Sequence, residues 1–126
     1  SSQILRNKLQ EFAGNNNKII NITSGDRTAQ SNQATGGASK SRHLYGDAAD
    51  MRISGMTNTE VANLAQQSNL FNTVIYYPAI TAQGALPPHV HVDLNPGHNH
   101  LMLKYDPVIK NGKVIKNSYV TITCAK

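Results

Sequence analysis

The chain is poor in several residue types that binding and catalytic proteins often use. Of its 126 residues only Cys124 is a cysteine. One thiol cannot close an internal disulfide or build a thiolate-rich zinc site. It stands near the end of an alternating, strand-like run, and reads as a small packed hydrophobe rather than a nucleophile. There is no tryptophan and there are two phenylalanines, which leaves little for a base-stacking platform. No apolar run approaches eighteen residues, so no membrane span is expected. No repeat, low-complexity linker or signal peptide is visible. Ser1 is not a natural start, so earlier removal of a leader or a neighbouring domain stays open.

What the chain does have is a basic surface. Net charge is +5 and the pI about 9.5, which favours anionic partners. The lysines and arginines are scattered and aromatics are few, so nucleic-acid binding is not expected. The bacterial wall, with its carboxylates and anionic polymers, is the better match. The length fits a single domain, 1–126, able to build its own core, and a monomer is expected.

Hydrophobic spacing supplies the elements. Leu5, Leu9 and Phe12 fall on one face of a helix over Ser2–Phe12, broken by Asn15-Asn16-Asn17. Ile19–Thr23 alternates and is β-branched, as a short strand should be. Ser24-Gly25-Asp26 then turns the chain, and Ala29–Ala34 reads as a short helix ended by Gly36-Gly37. Ser39–Tyr45 reads as a loop. Gly46–Ile53 follows as a strand with Ala48, Asp50 and Arg52 on one face and Ala49, Met51 and Ile53 on the other. Thr57-Asn58-Thr59-Glu60 is a capping box opening a helix to about Ser68. Thr73–Tyr77 reads as a strand stopped by Pro78, and Ala79–Pro88 as a loop suited to border a cleft. His89–Leu94 is a strand that puts His89, His91 and Asp93 on one face and Val90, Val92 and Leu94 on the other. Asn111-Gly112 turns a hairpin between Tyr105–Lys110 and Lys113–Ile115, and Tyr119–Cys124 reads as a last strand.

Two polar constellations stand out. Ser41-Arg42-His43-Leu44-Tyr45-Gly46-Asp47-Ala48-Ala49-Asp50 holds a histidine and a carboxylate seven positions apart, separated largely by small residues. His89-Val90-His91-Val92-Asp93 lies about forty residues on. Two histidines and one carboxylate make a catalytic zinc set with one position open to water; a hydrogen-bonded polar cluster without metal is the plainer alternative.

Taken in order, Ile22-Thr23-Ser24-Gly25-Asp26-Arg27-Thr28, Gly36-Gly37-Ala38-Ser39, the Ser41–Asp50 block and His89–Asp93 resemble the M15 family of zinc D-Ala-D-Ala carboxypeptidases and related murein peptidases. These share a fold with the hedgehog signalling domain. The resemblance spans roughly Ile19–Leu94 and leaves a C-terminal β extension, about 101–126. It implies an α+β fold with a mainly antiparallel central sheet flanked by helices, the C-terminal hairpin being added. It implies one zinc per chain held by His43, Asp50 and His91, with His89 beside the reacting water as general base or proton shuttle. Arg27 would bind substrate and stabilise the oxyanion, Ser41 would contact a ligand or substrate, and Asp93 would orient a histidine ring or pair with Arg52. The implied substrate is a peptidoglycan stem peptide, cut by a carboxypeptidase or endopeptidase acting outside the cytoplasm, or by a phage lysin. The rival reading is a catalytically inactive, hedgehog-like zinc-containing binding module for cell wall or protein. Tyr45, Tyr76 and Tyr77 are read as core or cleft wall. His98 and His100 are read as a solvated loop.

Overall fold

The computed structural model describes residues 2–16, 19–24 and 46–126. The expected helix at Ala29–Ala34, the glycine pair at 36–37 and the loop at Ser39–Tyr45 lie outside that range.

Helix α1 spans Gln3–Asn16 and buries Leu5 and Phe12, with Leu9 packed beside them. Ser2 opens it, its Oγ accepting from the backbone N–H of Leu5 at 3.1 Å. The helix takes in Asn15 and Asn16, two of the three asparagines expected to break it, and ends there. The Asn16 amide donates back to the Phe12 carbonyl at 2.8 Å, satisfying an orphan acceptor of the last turn. Helix α2, Asn58–Ser68, starts at the capping box: Thr57 and Glu60 exchange side-chain-to-backbone hydrogen bonds. It ends at Asn69, whose left-handed φ of 58° closes the last turn.

The strands are β1 (Ile20–Ser24), β2 (Ala48–Ile53), β3 (Thr73–Tyr77), β4 (His89–Asp93), β5 (Leu101–Tyr105), β6 (Val108–Lys110), β7 (Lys113–Lys116) and β8 (Tyr119–Thr121). Six form one sheet in the order β1-β2-β4-β3-β5-β8, while β6 and β7 form the separate hairpin turned at Asn111-Gly112. All pairings in the large sheet are antiparallel except β3 with β5. The small α+β domain with a mostly antiparallel sheet is therefore as the family resemblance implied.

The faces of this sheet divide labour. Ala49, Met51 and Ile53 of β2, Val74 and Tyr76 of β3, Val90 and Val92 of β4 and Met102 of β5 join Val61, Ala62 and Ala65 of α2 and Leu5 and Phe12 of α1 in one core. Both described helices thus cover the same face. Side-chain alternation sends Asp50, His89, His91 and Asp93 to the opposite face.

Several elements differ from the sequence expectation. Tyr105–Lys110 is not one strand. Asp106 and Pro107 separate β5 from β6, Pro107 having no N–H to donate to a ladder. The run Leu101–Tyr105, expected only as the start of the β extension, is a strand paired in parallel with β3, although its Leu, Met and Lys favour helix. The last strand stops at Thr121, so alternation fails beyond it. Cys124 is exposed, not packed. Ala125 is buried instead, its backbone N–H and C=O both bonded to the Asn63 side chain, at 2.6 and 3.0 Å.

Phe12 is fully buried and meets Phe71 edge-on at 5.7 Å between ring centroids. Phe12→Ala should cost about 3–5 kcal/mol of unfolding free energy, read from urea titrations; a loss under 1 kcal/mol would show that α1 does not hold the core.

Candidate active site

The site is built by the pairing of β2 with β4. Asp50 stands opposite His91 and Ala48 opposite Asp93, so the two carboxylates and the imidazole share one face. Ala48 is fully buried and its methyl group takes up little of the space beside them. Strand β3 flanks β4 on the other side, with Thr73 opposite Asp93, Ile75 opposite His91 and Tyr77 opposite His89.

His91 is the centre of the arrangement. Its Nε2 lies 2.7 Å from Asp93 Oδ2 and its Nδ1 lies 3.3 Å from Asp50 Oδ1. Asp93 is itself pinned, Oδ1 accepting from the Asn95 N–H at 3.0 Å. Thr73 also hydrogen-bonds Asp93, and the Thr73 hydroxyl lies 2.6 Å from His98 Nδ1. A chain of polar contacts therefore runs from His91 through Asp93 and Thr73 to His98. Sequence reasoning left His98 in a solvated loop. The residue lies twenty-five positions from Thr73, and no local pattern signals the contact. Of the two partners considered for Asp93, a histidine ring and Arg52, the His91 ring lies at 2.7 Å.

His89 lies at the open end. Its Nδ1 is 2.6 Å from the Pro87 carbonyl, which can only accept, so Nδ1 carries the proton. In the neutral ring, Nε2 then holds the lone pair, 3.9 Å from Asp50 Oδ1. The His89 ring stacks on Tyr77, centroids 4.0 Å apart and planes 12° from parallel.

The donors suit a metal. Asp50 Oδ1 and His91 Nδ1 are 3.3 Å apart, and two ligand atoms of a tetrahedral zinc, each about 2.0–2.1 Å from the ion, lie roughly 3.3 Å from one another. Asp93 on Nε2 is the outer partner that ligating histidines usually keep. Among the described residues no group of three or more side chains completes a metal site. His43, the expected third ligand, lies outside the described residues, as do Arg27 and Ser41.

A family profile described as Peptidase M15 matches residues 2–93, well over half of the chain. The chain belongs to the peptidase M15 family. M15 membership implies a metallopeptidase. The match begins before the stretch Ile19–Leu94 that carried the resemblance, taking in α1, and it ends at the last residue of β4. Comparison with curated proteins gives no match. Among the described residues no helix is long and apolar enough to cross a membrane.

Without metal, burial disfavours the His91 imidazolium, but hydrogen bonds and charge from Asp50 and Asp93 outweigh it and push the group up to about 9. For Asp93 burial acts upward, yet His91, Thr73 and the Asn95 N–H hold its carboxyl below the ordinary 3.8. The raised histidine stabilises the metal-free fold fully below its ordinary 6.5, and that contribution is lost as pH rises through about 9. The lowered aspartate stabilises above its ordinary 3.8, and its contribution is lost as pH falls further. Metal-free protein should thus be most stable between these limits, and Asp93→Asn should flatten the decline toward alkaline pH. Chemical unfolding across pH 4–10 checks this; a parallel decline in both proteins would remove the His91–Asp93 pair as its cause.

Proposed function

We propose that the protein is a zinc-dependent peptidase that hydrolyses amide bonds in peptidoglycan stem peptides, as a carboxypeptidase or an endopeptidase, on the wall-facing side of the cell or as a phage lysin. The observation that carries the reading is the convergence of Asp50 Oδ1 and His91 Nδ1 to 3.3 Å, with His89 Nε2 3.9 Å from the same carboxylate oxygen, in a chain of the M15 family.

Asp50 and His91 would hold the ion together with His43. A bound zinc supplies a water made acidic enough to ionise near neutral pH and a Lewis acid for the scissile carbonyl. The residues do the rest. His89 Nε2 takes the proton from the attacking water and returns it to the leaving amine, the Pro87 carbonyl fixing its tautomer through Nδ1. Asp93 holds the His91 ring by its Nε2–H. Arg27, with a planar guanidinium suited to a tetrahedral oxygen or a carboxylate, binds substrate and stabilises the oxyanion. Ser41 contacts the substrate or a ligand. The roles of His43, Arg27 and Ser41 rest on the family pattern. His89, placed with its lone pair toward the ligand pair, favours catalysis over a zinc-holding binding module.

Mass spectrometry of muropeptides after incubation with purified protein should show new amine ends at one bond. Elemental analysis should find about one zinc per chain. Asp50→Ala should lose metal and turnover together. His89→Ala should keep the metal and lose turnover by about 100-fold or more, and Arg27→Ala should do the same by about 100-fold. Full zinc with no cleavage of any wall preparation would favour the binding module.

A further inference from the structure

The sheet face that carries His89 continues beyond it as a row of tyrosines. Tyr77, opposite His89 in β3, stacks on the imidazole at 4.0 Å. Tyr105 in β5 lies 5.1 Å from Tyr77. Tyr119, paired with Tyr105 in β8, meets Tyr77 edge-on at 5.9 Å. The row therefore crosses four adjacent strands. Its outer half, Tyr105 and Tyr119, comes from chain beyond residue 93, where the family match ends.

The three hydroxyls are not equivalent. A phenol has one hydrogen to give and can also accept. Tyr105 is fully buried; its hydroxyl donates to Asn117 Oδ1 at 2.7 Å and accepts from the Leu86 N–H at 3.3 Å. It is spent on fastening the loop before β4. The Tyr77 and Tyr119 hydroxyls lie 3.0 Å apart and share a single hydrogen bond. Among the described residues neither has a further hydrogen-bond partner. Whichever of the two donates, the other keeps a hydrogen. Tyr77 is 8% exposed and Tyr119 40%, so the pair opens to solvent through Tyr119. Burial raises both phenols above their ordinary 10.0, and they remain donors across the working pH range. Residues 101–126 carry five lysines against the single carboxylate Asp106, a charge balance that favours an acidic ligand for this part of the chain.

We propose that Tyr119, accepting from the more buried Tyr77, donates its own phenolic hydrogen to a carbonyl or carboxylate oxygen of a wall peptide lying beside His89. Tyr119 is then a specificity-determining residue, and the C-terminal strands are part of the substrate site rather than an appendage. This rests on the peptidase reading above for the position of the substrate.

The test uses zinc-loaded full chain, a soluble synthetic stem pentapeptide, and Tyr119→Phe, which removes one oxygen from a partly exposed edge residue. With cleavage, KM should rise about tenfold, as one lost neutral hydrogen bond implies, with kcat within about twofold. Zinc content should not move, and the thermal midpoint should fall only by the few degrees that loss of the Tyr77–Tyr119 hydrogen bond implies. A KM within twofold of wild type, or a fall confined to kcat, overturns the proposal while the peptidase reading stands. If wild type cleaves nothing, calorimetric binding of the same peptide decides. A Kd about tenfold weaker in Tyr119→Phe upholds the contact and sinks the peptidase reading alone. Equal affinities, or no binding by wild type, sink both.

Discussion

The antiparallel register between β2 and β4 is the constraint on which the described part of the site depends. Asp50 and His91 are forty-one residues apart in the chain, yet the ladder sets them directly opposite. A slip of one residue would turn Asp50 toward the core and bring Ala49 or Met51 to the polar face, because side chains alternate with a period of two. That slip is opposed by the whole apolar set. Ala49, Met51 and Ile53 would leave the core together. The hydrophobic face thus sets the geometry of the chemical face, and the helices contribute to the site by holding the sheet from behind.

His91 shows how the fold stabilises polar groups with little access to water. A buried imidazole between two carboxylates costs desolvation, offset here by a hydrogen bond to Asp93 and by opposite charge on either side. Asp93 is satisfied in turn by Asn95 and Thr73, and Thr73 by His98. Each member fixes the next, so the His91 ring is presented in one orientation. His89 is fixed by different means, with Pro87 on one nitrogen and Tyr77 against its face.

The inner part of this arrangement was legible in the residue order. Alternation in His89–Leu94 and Gly46–Ile53 assigns the correct faces, since each strand has one apolar side. Thr57 and Glu60 announce their helix through a local hydrogen-bond exchange. The misreadings lie in the C-terminal stretch. Tyr105–Lys110 reads as one strand and is broken at Asp106-Pro107. Cys124 follows an alternating run but lies beyond the end of β8. Arg27, Ser41 and His43 lie outside the described residues, and their assignment rests on the family pattern.

By itself the sequence determined the family, the helix starts, the face each strand residue takes and the order of the two polar blocks, because these follow from local periodicity and short motifs. Only the tertiary structure decided that β5 runs parallel to β3, that Thr73 and His98 support Asp93, and that Tyr77, Tyr105 and Tyr119 continue the row begun by His89. Those contacts join residues far apart in the chain. They arise from strand order and register, which no window of neighbouring residues contains.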